Sequence, residues 1–385
     1  MAEGADQRIP LAAPALVGRE REYVLDCMDS TWISSSGRYL ELFESRFAEF
    51  CSVRHAISCC NGTVALHLAL LGQELGPGDE VIVPTLTYVA SANAVVYCGA
   101  QPVFVDAEPR TWNMDPERIA DSITPRTRGI VVVHLYGHPC DMDPILALAE
   151  QHGLWVVEDA AEAHGASYRG RIAGSMGTLA TFSFQAAKII TSGEGGMVVC
   201  NDEALAQKIR RLHGHGREPA RRFWFPVVGY NYLMTNIEAA IGLAQLEQID
   251  WHLARRREIA GWYREELEGE EGLTLSPEEP WAQSVFWLIC AVLDEERYGS
   301  RDEAIRALHE LGIETRPFFY PLHTLPPYRE SNSGRELPVA EDLARRGINL
   351  PSSATLTREQ VARVCAALRS LALVKRGTRV VVPPL

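Results

Sequence analysis

The chain has 385 residues, 46% hydrophobic and 23% charged, which is ordinary for a soluble globular protein and long enough for two domains or one large domain with an appendage. A formal net charge of −13 opposes binding to nucleic acid or to an anionic membrane. The sequence has no apolar run near the ~18 residues of a membrane span and no signal-peptide pattern at its start; its nine scattered cysteines form no CxxC pair, so reduced thiols, a cytoplasmic setting and no metal site are expected.

Residues 19–29 and 38–51 read as amphipathic helices joined by "STWISSSGR". Apolar strand-like runs then alternate with helical patterns. "HAISCC" is followed by the helix "GTVALHLALLGQEL", and "DEVIVP" by "YVASANAVVYCG". "QPVFVDA" comes next, and "RGIVVVHLYG" and "LWVVEDA" flank the helix "MDPILALAEQHG". "TLATFSF" and "GMVVCND" are strands, followed by the helix "EALAQKIRRLHGHG". Such alternation predicts a mostly parallel sheet with helices on both faces. Near-continuous apolar strands fit burial of both faces. From 236 the pattern "NIEAAIGLAQLEQIDWHLARRREIAGWYREELEG" predicts one long helical stretch. The segments "SVFWLICAVLD", "RDEAIRALHELGI" and "TREQVARVCAALRSLAL" predict a small α+β unit, and the tail "KRGTRVVVPPL" fits either a strand or a loose end.

In open α/β sheets ligands sit beyond the carboxyl ends of the strands. Lys188 stands alone in the uncharged run "FSFQAAKIITSG" just past one such end. A lysine there either snorkels to water or has a chemical task. Asp159 closes the strand "LWVVED" and also reads as a helix cap. Gly62 and Thr63 open a helix after "HAISCC", where amides and a hydroxyl suit an anion. Ser183 lies five residues before Lys188, and Tyr88 follows the strand "EVIVP", where an aromatic ring covers a flat ligand or simply joins the core. Together these residues describe a flat ligand with a phosphate, a ring nitrogen that needs a carboxylate and a carbonyl that needs an amine. Pyridoxal 5′-phosphate has those features.

The motifs "NGTVALHLAL", "PTLTYVASANAV", "VVEDAAEAHGA", "FSFQAAKIITSGEGGMVV", "GYNYLMTNIEAAIGLAQL" and "GIETRPFFYPLH" resemble the DegT/DnrJ/EryC1/StrS sugar aminotransferases over residues 9–370. The resemblance implies a fold-type I, aspartate aminotransferase-like α/β architecture. A large, mostly parallel seven-stranded-type sheet domain is expected over 1–250 and a smaller C-terminal α+β domain over 251–385. It also implies a role for each matching residue. Lys188 bonds the cofactor covalently and shuttles protons. Asp159 binds the pyridine nitrogen. Glu162 stands where the family often has glutamine, near the phenolic oxygen. Gly62, Thr63 and Ser183 cradle the phosphate, and Tyr88 stacks on the ring. Asn231 reaches the neighbouring subunit's phosphate, so a homodimer with shared active sites is implied.

The phrases "YVLDCMDSTWISSSGRY" and "RRFWFPVVGYNYLMTNIEAAIGLAQLE" most resemble members that move the amino group of L-glutamate to C4 of GDP-4-keto-6-deoxy-mannose. Trp32, Ser34, Tyr320 and His323 are the candidate contacts to that nucleotide-linked keto-sugar. Arg222, in the basic run 208–224, reads as a positive rim for its diphosphate or as a plain solvated face. Two departures bear on the substrate: "FQAAK" replaces the expected "FFGNK", and Leu233 replaces a usual arginine. A dTDP- or UDP-linked keto-sugar or a keto-cyclitol is the alternative acceptor, and a non-catalytic sugar-nucleotide-binding relative is the alternative role.

Overall fold

Seven strands build the central sheet of the computed structural model, which describes residues 8–218 and 220–375. They are β1 (His55–Cys59), β2 (Glu80–Pro84), β3 (Gln101–Val105), β4 (Thr127–Val133), β5 (Trp155–Asp159), β6 (Leu179–Ser183) and β7 (Gly196–Cys200). Their spatial order is β1-β7-β6-β5-β4-β2-β3. All pairings among β6, β5, β4, β2 and β3 are parallel; β7 runs antiparallel to both neighbours. The β2, β6 and β7 strands are buried at every position, because helices cover both faces. This is the expected α/β fold with a mostly parallel seven-stranded sheet.

Helices α1 (Glu20–Ser30) and α2 (Arg38–Phe50) precede the sheet; α3 (Gly62–Gly72) follows β1, and α4 (Ala90–Tyr97) follows β2. Phe43 and Phe47 of α2 are fully buried. Phe47 packs edge-on against Phe182 and Phe184, with ring centroids 4.9 and 5.3 Å apart. That contact fixes the helical layer over the chain leading to Lys188.

A second, antiparallel sheet joins Leu273–Leu275, Ile289–Leu293, Gly347–Leu350 and Arg316–Pro317 in that order. Its core includes Ile259, Tyr263, Leu293 and Leu368. Ile9, from the start of the described chain, belongs to this core too; its amide donates to the Gly312 carbonyl at 2.9 Å.

The helical stretch expected from 236 to 269 is two helices, Asn236–Leu246 and Ile249–Glu266. The backbone leaves helical geometry at Gln248, with φ −108° and ψ 15°. The first helix packs on α1 and α2, whereas the second packs on the helix Arg358–Lys375, so one straight axis cannot serve both. A capping box between Thr235 and Glu238 starts the first helix. The tail after Lys375 lies outside the described residues.

Candidate active site

A cavity of about 710 Å³ opens beyond the carboxyl ends of the sheet. The chain leaving β1 contributes Gly62 and Thr63, that leaving β2 contributes Thr87 and Tyr88, and the ends of β5 and β6 contribute Asp159 and Ser183. Glu162 and Lys188 line it as well. Seven of the residues singled out from the sequence therefore share one space: Gly62, Thr63, Tyr88, Asp159, Glu162, Ser183 and Lys188.

Asp159 is aimed by two donors. Ser91, on α4, donates its hydroxyl to Oδ2 at 2.7 Å, and the Ala161 amide donates to Oδ1 at 3.2 Å. Burial raises this carboxyl above its usual range, against the pull of those hydrogen bonds and of Lys188. A cationic N–H partner would reverse that balance and favour the carboxylate.

Lys188 keeps only 14% of its side chain exposed, and Nζ lies 3.8 Å from Glu162 Oε1. Burial lowers the amine's pKa, while Glu162 and Asp159 oppose the shift. A lowered pKa increases the neutral, nucleophilic fraction. Burial raises the Glu162 carboxyl from 4.5 to about 7, although Lys188 and the Tyr136 amide, 2.7 Å from Oε2, pull it down.

The opposite corner suits an anion. Asn61 caps α3 by accepting from the Val64 amide at 3.0 Å. The amides of Gly62 and Thr63, ahead of it, have no intrahelical acceptor. A Cβ on Gly62 would sit 2.7 Å from the Ser183 Cβ, so glycine is what lets the helix start meet the β6 end. Two amides, two hydroxyls and the positive end of a helix dipole converge there. An amine, a buried carboxylate and an anion corner in one cavity fit pyridoxal phosphate. Among the described residues no cluster fits a metal ion.

The remaining candidates lie apart from this lining. Asn231 is exposed and bridges to Gly214. Trp32 and Ser34 are exposed, and their carbonyls hold Asn236: Trp32 accepts from Nδ2 at 2.7 Å and Ser34 from the amide at 2.7 Å. Arg222 is exposed and stacks on Phe223. Tyr320 is exposed beside Arg301. His323 is buried, its ring bonded to Thr85 Oγ1 at 2.8 Å and Glu341 Oε1 at 3.0 Å. Sequence reading missed Ser91, Trp287, Arg316 and Phe319. Ser91 follows the motif tyrosine by three residues, a helical neighbour; Arg316 and Phe319 lie within the motif "GIETRPFFYPLH", beside the candidates Tyr320 and His323, and Trp287 carried no local signal.

The family model described as "DegT/DnrJ/EryC1/StrS aminotransferase family" matches residues 14–369. A GDP-perosamine synthase of Caulobacter vibrioides is 55% identical over 362 residues, covering 94% of this chain and 97% of that one. Among solved structures, DesI in the presence of its TDP-sugar product superposes with a TM-score of 0.90 at 35% identity, covering 96% of this chain and 95% of DesI. The PLP-form of a putative sugar aminotransferase, Spr1654 of Streptococcus pneumoniae, superposes with a TM-score of 0.89 at 27% identity, covering 96% and 99%.

Proposed function

Because the chain belongs to the DegT/DnrJ/EryC1/StrS aminotransferase family, we propose that it is a pyridoxal phosphate-dependent enzyme that moves the amino group of L-glutamate to C4 of GDP-4-keto-6-deoxy-mannose. The observation that carries this reading is the meeting of Lys188, Asp159 and the open start of α3 in one cavity. The relative at 55% identity supports the GDP-linked acceptor over a TDP-linked one.

Pyridoxal phosphate supplies an aldehyde to which amines add and a ring that takes up the electron pair left at the donor's α-carbon. The Gly62 and Thr63 amides, with the Thr63 and Ser183 hydroxyls, would hold its phosphate. Asp159, kept aimed by Ser91, would hold the ring nitrogen's proton. Tyr88 would cover the ring, and Glu162 would stand near the phenolic oxygen. Lys188 Nζ would anchor the cofactor and, once free of it, take the proton from the donor's α-carbon. Water would supply the oxygen with which glutamate leaves as 2-oxoglutarate, and the sugar's keto carbon would gain the nitrogen and lose its oxygen as water. In the second half Lys188 would return a proton to that carbon.

The enzyme works in the cytoplasm as a homodimer. Asn231, which is exposed, reaches the phosphate of the partner's site in this reading. The chain divides into a cofactor-binding part over 1–250 and a smaller part over 251–385. Trp32, Ser34, Arg222 and Tyr320, all exposed, are held to meet the sugar nucleotide at the rim of the site. His323 acts indirectly, by bracing Thr85 near the Tyr88 loop.

The test is Lys188→Ala. The parent protein should bind pyridoxal phosphate with a near-visible band that shifts when L-glutamate is added. The variant should lose that band and release no 2-oxoglutarate over many turnovers. Turnover at the parent rate without Lys188 would sink the reading.

A further inference from the structure

Lys188 Nζ lies 3.9 Å from the centroid of the Trp287 ring, so the amine sits between an aromatic face and the Glu162 carboxyl. The indole is itself held on several sides. Its Nε1–H donates to the Ala187 carbonyl at 2.7 Å, tying the ring to the residue beside the lysine. The Trp287 amide donates to the Tyr136 carbonyl at 3.0 Å. Its own carbonyl accepts from Arg256 Nη1 at 2.7 Å. Tyr136 stacks on the indole at 6.4 Å and 22°, and its amide donates to Glu162. One turn, at a left-handed Tyr136 with φ 53°, therefore fixes both walls around the amine.

Arg256 is buried and donates to the carbonyls of Trp287 and Ser352, with no ion pair among the described residues. A buried guanidinium without a counter-charge is costly. Its gain here is the fixed position of the Trp287 backbone.

We propose that Trp287 is the positioning residue of the site: its face seats the Lys188 amine whenever that nitrogen is not bonded to the cofactor. This rests on the aminotransferase reading, which requires Lys188 to leave the cofactor in each half-reaction and stay within reach. A freed lysine has many rotamers. The ring restrains it, and attracts it most while Nζ carries the proton taken from the donor's α-carbon. Once that proton is delivered the attraction weakens and the neutral amine is free to attack.

The test reads the amine itself, in the full chain stripped of cofactor. The titration midpoint of Lys188 is followed by competitive amine labelling and mass spectrometry across pH. Glu162, Asp159, His164 and Arg256 also act on this region and are left unchanged. Trp287→Leu should lower the midpoint by about one pH unit, and Trp287→Phe, with a weaker face, by about half as much. In the loaded enzyme, Trp287→Leu should lower kcat roughly tenfold with little change in KM for L-glutamate, and Trp287→Phe should restore part of the loss. Unchanged midpoints in both variants overturn the seat. Should the leucine variant not fold, the phenylalanine variant decides alone: a lowered midpoint supports the seat and an unchanged one overturns it. A parent protein that makes no 2-oxoglutarate from L-glutamate defeats the aminotransferase reading instead, whatever the midpoints do.

Discussion

Glu162 keeps its proton in the folded chain at pH values where the unfolded chain has lost it. Burial is the cause, raising the carboxyl from 4.5 to about 7. The native state then binds more protons than the unfolded one across that window, so this group's contribution to stability falls as pH rises from 4.5 to about 7. Glu162→Gln removes the effect. In cofactor-free protein the variant should match the parent near pH 4.5 and gain on it towards pH 7, by up to about 3 kcal/mol, read by urea unfolding at several pH values. A constant difference across the window would contradict the assignment. Gly62 gives a second residue-scale prediction. The alanine Cβ would fall 2.7 Å from the Ser183 Cβ and push α3 away from β6. Overpacking of this kind costs ~1–3 kcal/mol, so Gly62→Ala should weaken pyridoxal phosphate binding roughly ten- to a hundredfold, measured by fluorescence titration. Unchanged affinity would mean that the helix start does not hold the phosphate.

At the scale of elements, β5 sends consecutive carboxylates to opposite faces of the sheet. Asp159 faces the cavity, while Glu158 is fully buried on the other side. Glu158 accepts from the amides of Gly174, Met176 and Gly177 at 2.8, 2.7 and 2.6 Å and lies 2.9 Å from His134 Nε2. Burial pushes its pKa up, but these hydrogen bonds outweigh it and hold the carboxyl below its usual range. Glu158→Ala would leave three amides and an imidazole without their acceptor. The expected loss is about 3–5 kcal/mol, seen as a lower urea midpoint at unchanged slope. A loss under ~1 kcal/mol would show that water replaces the carboxylate. The strands and their order of appearance were legible because buried parallel strands are near-continuous apolar runs bounded by turn residues. The break at Gln248 was not, since the run "LAQLEQIDWHLA" contains neither glycine nor proline. Tertiary packing against two different partners bends the chain there.

For the whole molecule, the legible part of the site is the part that lies at strand ends. Gly62, Thr63, Tyr88, Asp159, Ser183 and Lys188 each follow or close a strand, so the topology rule for parallel sheets gathers them. Trp287 escaped because it reaches the lysine from the chain 100 residues beyond Ala187, and nothing local distinguishes it from a core tryptophan. Likewise, Arg222 and Trp32 are exposed and lie outside the cavity lining, so the topology rule does not gather them. The central claim joins cavity, cofactor and acceptor in one reaction. Its most direct test supplies the protein with pyridoxal phosphate, ¹⁵N-labelled L-glutamate and GDP-4-keto-6-deoxy-mannose, and weighs the sugar nucleotide by mass spectrometry. The account predicts a ¹⁵N-amino sugar nucleotide that is absent with Lys188→Ala. Unlabelled sugar alongside 2-oxoglutarate in an amount equal to the enzyme would contradict the acceptor, and no 2-oxoglutarate at all would contradict the reaction.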